Sequence, residues 1–87
     1  MKTEEIIRSA VKSNKAVIGY KETVKCLKNN SPKMIIIAKN IPEEFKKEIE
    51  HNVKIYKVNI EIFEDSSKEL GILCGKPFPV TALAIKD

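Results

Sequence analysis

The sequence predicts an α/β fold, a three-layer α/β/α sandwich built on a four-stranded mixed sheet. Three observations predict it. Short apolar runs alternate with stretches of helical periodicity along the whole chain. One of those runs, Met34-Ile35-Ile36-Ile37-Ala38, is unbroken and rich in β-branched residues, the signature of a central strand buried on both faces. The length, 87 residues, suits one domain spanning 1–87 with a modest core.

The elements follow in order. Thr3 can cap a helix whose first turn carries Glu4 and Glu5, the charge sign that end favours. Ile6, Ile7, Ala10 and Val11 form its apolar stripe, and Asn14 is its stop. Ala16-Val17-Ile18 is a short buried strand. Gly19 breaks it and opens a second helix running to about Lys28, with Val24 and Leu27 facing inward. Asn29-Asn30-Ser31-Pro32 is a turn, and the central strand comes next. Asn40-Ile41-Pro42 ends that strand and starts a third helix, with Pro near its first position. Phe45, Ile49, Val53 and Tyr56 line one face of it. Asn59 to Phe63 reads as a third strand. Ser66 and Glu69 have the spacing of a capping box, and Leu70, Leu73 and Cys74 carry that fourth helix inward. Gly75-Lys76-Pro77-Phe78-Pro79 is a loop in which two prolines flank an aromatic. Val80 to Ile85 is the last strand.

Composition excludes several classes. No apolar run approaches membrane-spanning length, and no signal-peptide core is visible, so no membrane is expected as a partner. The two cysteines, Cys26 and Cys74, fall at apolar helix positions and read as buried free thiols of a cytoplasmic protein. The single histidine, His51, lies on the charged side of its helix. Metal-ligand spacings are missing, and no cofactor is expected. Glu61, Glu64 and Asp65 cluster near a strand end, but no base, nucleophile or ligand is spaced to work with them, so an enzyme is not expected.

Charge is distributed unevenly. The net charge is +4, yet residues 1–40 carry nine Lys or Arg against three acids, and residues 41–87 carry seven against nine. A basic region beside an acidic remainder is the footprint of a polyanion-binding face, although Lys-rich surfaces also arise for stability alone. The strongest candidate site is Ile18-Gly19-Tyr20-Lys21-Glu22-Thr23-Val24-Lys25. A strand, a Gly hinge and a helix N-terminus bring exposed N–H groups and a positive dipole end together. Lys21 and Lys25, four apart, share a side of that helix. Tyr20 offers a ring face, and Glu22 and Thr23 offer hydrogen-bonding groups. In open α/β sheets, ligands gather beyond the carboxyl ends of strands, which would set Gly19–Lys25 beside Asn40–Lys46. The Pro-flanked loop would join them if the last strand runs antiparallel. For Phe78 two readings stand, a ring free to stack or one folded onto the core. For Asn40 they are a ligand contact or a helix cap.

Taken with Lys33-Met34-Ile35-Ile36-Ile37-Ala38-Lys39-Asn40 and with Leu70-Gly71-Ile72-Leu73-Cys74-Gly75-Lys76, Phe78 and Val80, the Gly19 stretch resembles the kink-turn RNA-binding proteins of archaeal and eukaryotic ribosomes. The resemblance covers essentially the whole chain. It implies the sandwich fold and a structural role in the large ribosomal subunit. The partner it implies is an rRNA kink-turn, a sharply bent internal loop built on tandem sheared G·A pairs. Other ribosomal proteins would be neighbours, and the protein would be a monomer in isolation. It also implies that Gly19, Tyr20, Lys21, Glu22, Thr23 and Lys25 enter the bent groove. Asn40 and Lys46 would contact the RNA beside it, and Lys76, Phe78 and Val80 would meet an unstacked base, in keeping with how proteins read RNA at splayed bases. The relatives that nucleate RNA-modification particles usually have Asn two places after the glycine, where this chain has Lys21. That favours the ribosomal members. The alternatives are a modification or regulatory ribonucleoprotein and a protein-interaction adaptor without RNA. The chain also ends soon after its last strand, where relatives often continue.

Overall fold

The computed structural model describes residues 3–30 and 32–86. Its elements, in chain order, are α1 (Thr3–Lys12), β1 (Ala16–Ile18), α2 (Tyr20–Asn30), β2 (Met34–Ala38), α3 (Glu43–Tyr56), β3 (Asn59–Phe63), α4 (Ser67–Leu73) and β4 (Ala82–Ile85). The four strands form one mixed sheet in the order β1-β4-β2-β3. β4 is antiparallel to both β1 and β2, and β2 is parallel to β3.

Alternation along the strands divides the core. Ile36, Leu83 and Ile85 face α1 and α4, where they pack with Ile7, Ala10, Leu70 and Cys74. Ile35, Ile37, Ala82 and Ala84 face α2 and α3, where they meet Val24, Leu27, Ile49 and Val53. Residues one apart in a strand point to opposite faces, so the run 35–38 feeds both layers and is buried throughout. The three-layer sandwich and mixed sheet are therefore as the sequence predicts.

Several local expectations change. Thr3 is the first helical residue, and the cap position before it lies outside the described residues. Asn14 does end α1, in the left-handed region at φ 59. The N–H of Lys15 reaches back to the Ala10 carbonyl at 2.8 Å, the closing bond of a helix C-terminus. Tyr56, expected on the buried face of α3, is 39% exposed because the helix ends there, with Lys57 left-handed at φ 55. Half of the predicted capping box forms. Ser66 Oγ accepts from the Glu69 N–H at 3.4 Å, but the Ser66 N–H donates to the adjacent Asp65 carboxylate at 2.8 Å. The last strand starts at Ala82, and Val80 and Thr81 belong to the loop before it.

Both cysteines are free and buried, as expected. Burial pushes each thiol up, with Lys86 working the other way on Cys26 and Lys76 on Cys74.

Candidate nucleic-acid interface

The antiparallel direction of β4 decides where the candidate residues meet. The chain leaves β1 and β2 at the same end at which it enters β4, so the Gly19 turn, the Asn40 turn and the Pro-flanked loop share one edge. Backbone bonds tie them: the Gly19 N–H donates to the Ala82 carbonyl at 2.9 Å and the Ala38 N–H to the Thr81 carbonyl at 2.8 Å.

Gly19 is required by conformation. Its φ is +112, which L side chains rarely adopt, while the space around it is open. Its N–H is already committed to β4, so the free donors of the helix start are those of Tyr20, Lys21 and Glu22. The first intrahelical bond runs from the Thr23 N–H to the Gly19 carbonyl at 2.9 Å. Lys21, Glu22 and Lys25 are exposed on α2. Thr23 is not. It is 0% exposed, and its hydroxyl has no hydrogen-bond partner among the described residues. The expectation that its side chain offers a group at the surface is corrected: four residues on from Gly19, it lies on the inner face of the helix beside Val24 and Leu27.

Tyr20 is half-buried, and one face of its ring is taken. It stacks on Phe45 of α3 with ring centroids 4.0 Å apart and planes 12° from parallel, and its hydroxyl donates to the Glu48 carboxylate. Its role is to fasten α2 to α3. Half-buried Lys46 follows Phe45 in α3.

Asn40 caps a helix other than the one expected. Its Oδ1 accepts from the N–H of Ser67 at 2.8 Å, so it closes the start of α4, 27 residues on. With the oxygen committed, Asn40 still has its NH2 to offer as a donor. α4 in turn holds the loop. The Val80 N–H donates to the Ser67 carbonyl at 3.0 Å and the Lys76 N–H to the Gly71 carbonyl at 2.9 Å. Between them the Phe78 carbonyl passes so close to Gly71 that a Cβ there would overlap its oxygen. The loop is thus shaped against α4, and it presents Phe78 outward at 52% exposure beside exposed Lys76. Val80 is 1% exposed and packs with Leu70 and Leu83, so its expected surface contact is corrected to an anchor for the loop.

Sequence reasoning did not single out Ser67, Gly71, Phe45 or Glu48 for the site. Gly71 carries a usable signal. A glycine inside a seven-residue helix costs about 1 kcal/mol against alanine, and such a position needs a reason. The other three join through partners distant in sequence.

Among the described residues there is no cluster of groups able to hold a metal ion, and no helix is long and apolar enough to cross a membrane. His51 is exposed.

Residues 1–87 match the model of the family described as Ribosomal protein L7Ae/L30e/S12e/Gadd45. Curated relatives include the large ribosomal subunit protein eL30 of Methanothermobacter thermautotrophicus, 42% identical over 93% of this chain and 83% of that protein. The eL30 of Archaeoglobus fulgidus is 41% identical over 97% of this chain and 93% of its own length. That of Methanocaldococcus jannaschii is 36% identical over all of this chain and 79% of its own. A solved structure from Bacillus halodurans, described as a protein of unknown function, superposes with a TM-score of 0.86 over 97% of this chain and 83% of that one. At 18% identity, it is similar in fold alone.

Proposed function

This chain belongs to the Ribosomal protein L7Ae/L30e/S12e/Gadd45 family, and from that premise we propose that it is a structural component of the large ribosomal subunit that recognises a kink-turn in rRNA. Its relatives are large-subunit ribosomal proteins, not enzymes, and its place is the cytoplasmic ribosome. The observation that carries the kink-turn reading is the shared edge. A lysine-bearing helix start, the Asn40 amide and an outward aromatic on a braced loop lie at one end of the sheet.

Each part suits a bent internal loop better than a plain duplex. Lys21 and Lys25 serve phosphates. Glu22, exposed between them, repels phosphate and is useful only to a donor, such as the amino group of a guanine. Sheared G·A pairs offer base edges of that kind. Regular A-form helices are read mostly by shape and by backbone contacts. Phe78 offers a face to an unstacked base. Thr23 and Val80 support the edge from beneath, and Tyr20 sets the angle between α2 and α3.

A competition at one salt concentration tests the reading. A kink-turn RNA should outcompete a duplex of equal charge. Replacing its G·A pairs by Watson–Crick pairs should abolish that preference, and Glu22→Ala should weaken it more than Lys28→Ala. Equal binding of the two RNAs would leave a generic polyanion binder and sink the kink-turn reading.

A further inference from the structure

We propose that the opposite end of the sheet is a second RNA contact, a basic groove that takes the phosphate backbone of a further RNA segment. The proposal rests on the reading above, in which the first RNA occupies the Gly19–Phe78 edge.

Three lysines carry it. Lys15 precedes β1, Lys33 precedes β2 and Lys86 follows β4. Because β4 runs between β1 and β2 and against both, Ile85 stands opposite Ala16 on one side and Met34 on the other. The β1–β4 ladder continues one residue further, and on the other side of β4 Lys33 bonds to Ile85. The Lys86 N–H donates to the Lys15 carbonyl at 2.8 Å, and the Lys33 N–H donates to the Ile85 carbonyl at 2.8 Å. Lys15 and Lys86 therefore stand opposite each other on adjacent strands, about 4.8 Å apart, and Lys33, bonded one residue short of Lys86, sits beside that pair at the start of β2. All three are exposed. With Ser9 and Ser13 of α1 they line a groove of about 450 Å3, in which Glu5 is the one acid among the described residues. Asp87 follows Lys86 and lies outside the described residues.

Like charges set opposite each other on neighbouring strands destabilise a sheet, so the Lys15–Lys86 pair, with Lys33 beside it, works against folding until an anion joins it. A row suits a ligand that presents negative charges in series, as a polynucleotide backbone does, and serine hydroxyls can donate to the same oxygens. α1 and α2 also finish at this end, where their last carbonyls favour cations. A role limited to those helix ends would make the lysines stabilising, and that is measurable. The molecule is 29 Å in its longest extent. Occupied at both ends, it would join two RNA segments.

The test compares the full chain with its K15Q/K33Q/K86Q variant, using a plain RNA duplex without an internal loop as the probe. In wild type, the duplex should shift the backbone amide signals of Ser9, Ser13, Lys15, Lys33 and Lys86. The variant should lose those shifts and bind the duplex about tenfold or more weakly at low salt, with a log–log salt slope flatter by two to three. Its melting temperature at low salt should be unchanged or higher. The amide shifts that a kink-turn RNA causes at the Gly19–Phe78 edge should equal those of wild type, so a failure of the kink-turn reading is read separately. Three results would each overturn the proposal: groove amides that do not move, a melting temperature lowered by several degrees in the variant, or a polyglutamate peptide of equal charge displacing the duplex from the groove.

Discussion

The two walls of the proposed RNA edge are built by different means. Besides the backbone bond from Gly19 to Ala82, the Gly19–Lys25 wall is fastened to α3 by side chains: Tyr20 stacks on Phe45 and reaches Glu48, while Lys21 and Lys25 are exposed. The Gly71–Val80 wall is fastened by backbone. Three N–H groups of the loop, those of Gly75, Lys76 and Val80, bond to carbonyls of α4, the start of α4 is closed by Asn40, and the loop passes where Gly71 has no side chain. The first wall supplies charge, which acts at a distance and tolerates movement. In the proposed function the second supplies the ring that meets one base, and stacking tolerates little misplacement. The means of fastening follow from those needs.

The comparison is broken most severely at Gly71. In Gly71→Ala the added Cβ overlaps the Phe78 carbonyl, so either the loop or α4 must move. Overpacking of this kind costs about 1–3 kcal/mol, offset in part by about 1 kcal/mol from alanine's better helix propensity. The expected result is a melting temperature lower by several degrees, since about 1 kcal/mol moves a domain of this size by roughly 4–8 °C. Kink-turn affinity should fall further than that loss of stability explains, and Lys-dependent binding to a plain duplex should persist. Unchanged affinity in a binding titration would mean that α4 does not shape the loop.

Gly71 also marks the limit of what the sequence made legible. Periodicity placed all eight elements, and the unbroken run at Met34–Ala38 identified the strand that feeds both cores. Asn14 was readable as a stop because few residues tolerate positive φ. The side chains at the edge were less legible. Thr23 follows a Gly hinge and a basic helix start, yet it faces inward. Polarity could not reveal this, because burial of a short hydroxyl residue leaves little trace in an apolar pattern. The Asn40–Ser67 bond, the Tyr20–Phe45 stack and the Gly71–Phe78 approach join residues far apart or separated by a turn. Local patterns carry no record of such partners. The capping box failed by half because Asp65, one residue away, outcompeted Glu69 for the Ser66 N–H.

A smaller change isolates what the second wall presents. Phe78→Ala removes the ring and leaves the loop's backbone bonds to α4 intact. Loss of a base-stacking aromatic costs about 1–3 kcal/mol of RNA binding. Stability should hardly move, because the ring is 52% exposed. The loss should also be nearly independent of salt, since stacking releases no counterions. A sharp fall in melting temperature with affinity retained would assign the ring to the core.

The smallest effects belong to the first wall, and there the salt dependence is the informative quantity. Lys21 and Lys25 lie one turn apart on the exposed side of α2, and neither takes part in the bonds that fasten α2 to α3. Each can neutralise one phosphate. Lys21→Ala and Lys25→Ala should each flatten the log–log salt dependence of RNA binding by about one unit. In the double variant the two losses should add, because two solvated charges with separate partners have no shared structure to disturb. Raising the salt should erase the difference from wild type, as exposed charges are screened. Phe78→Ala should keep its deficit under the same conditions. This contrast separates the walls: one contribution fades with ionic strength and the other does not. A slope unchanged in both lysine variants would move the phosphate contacts elsewhere on the edge, to Lys46 and Lys76. Both walls would then be held by α3 and α4, and α2 would serve as a spacer between the RNA and the sheet.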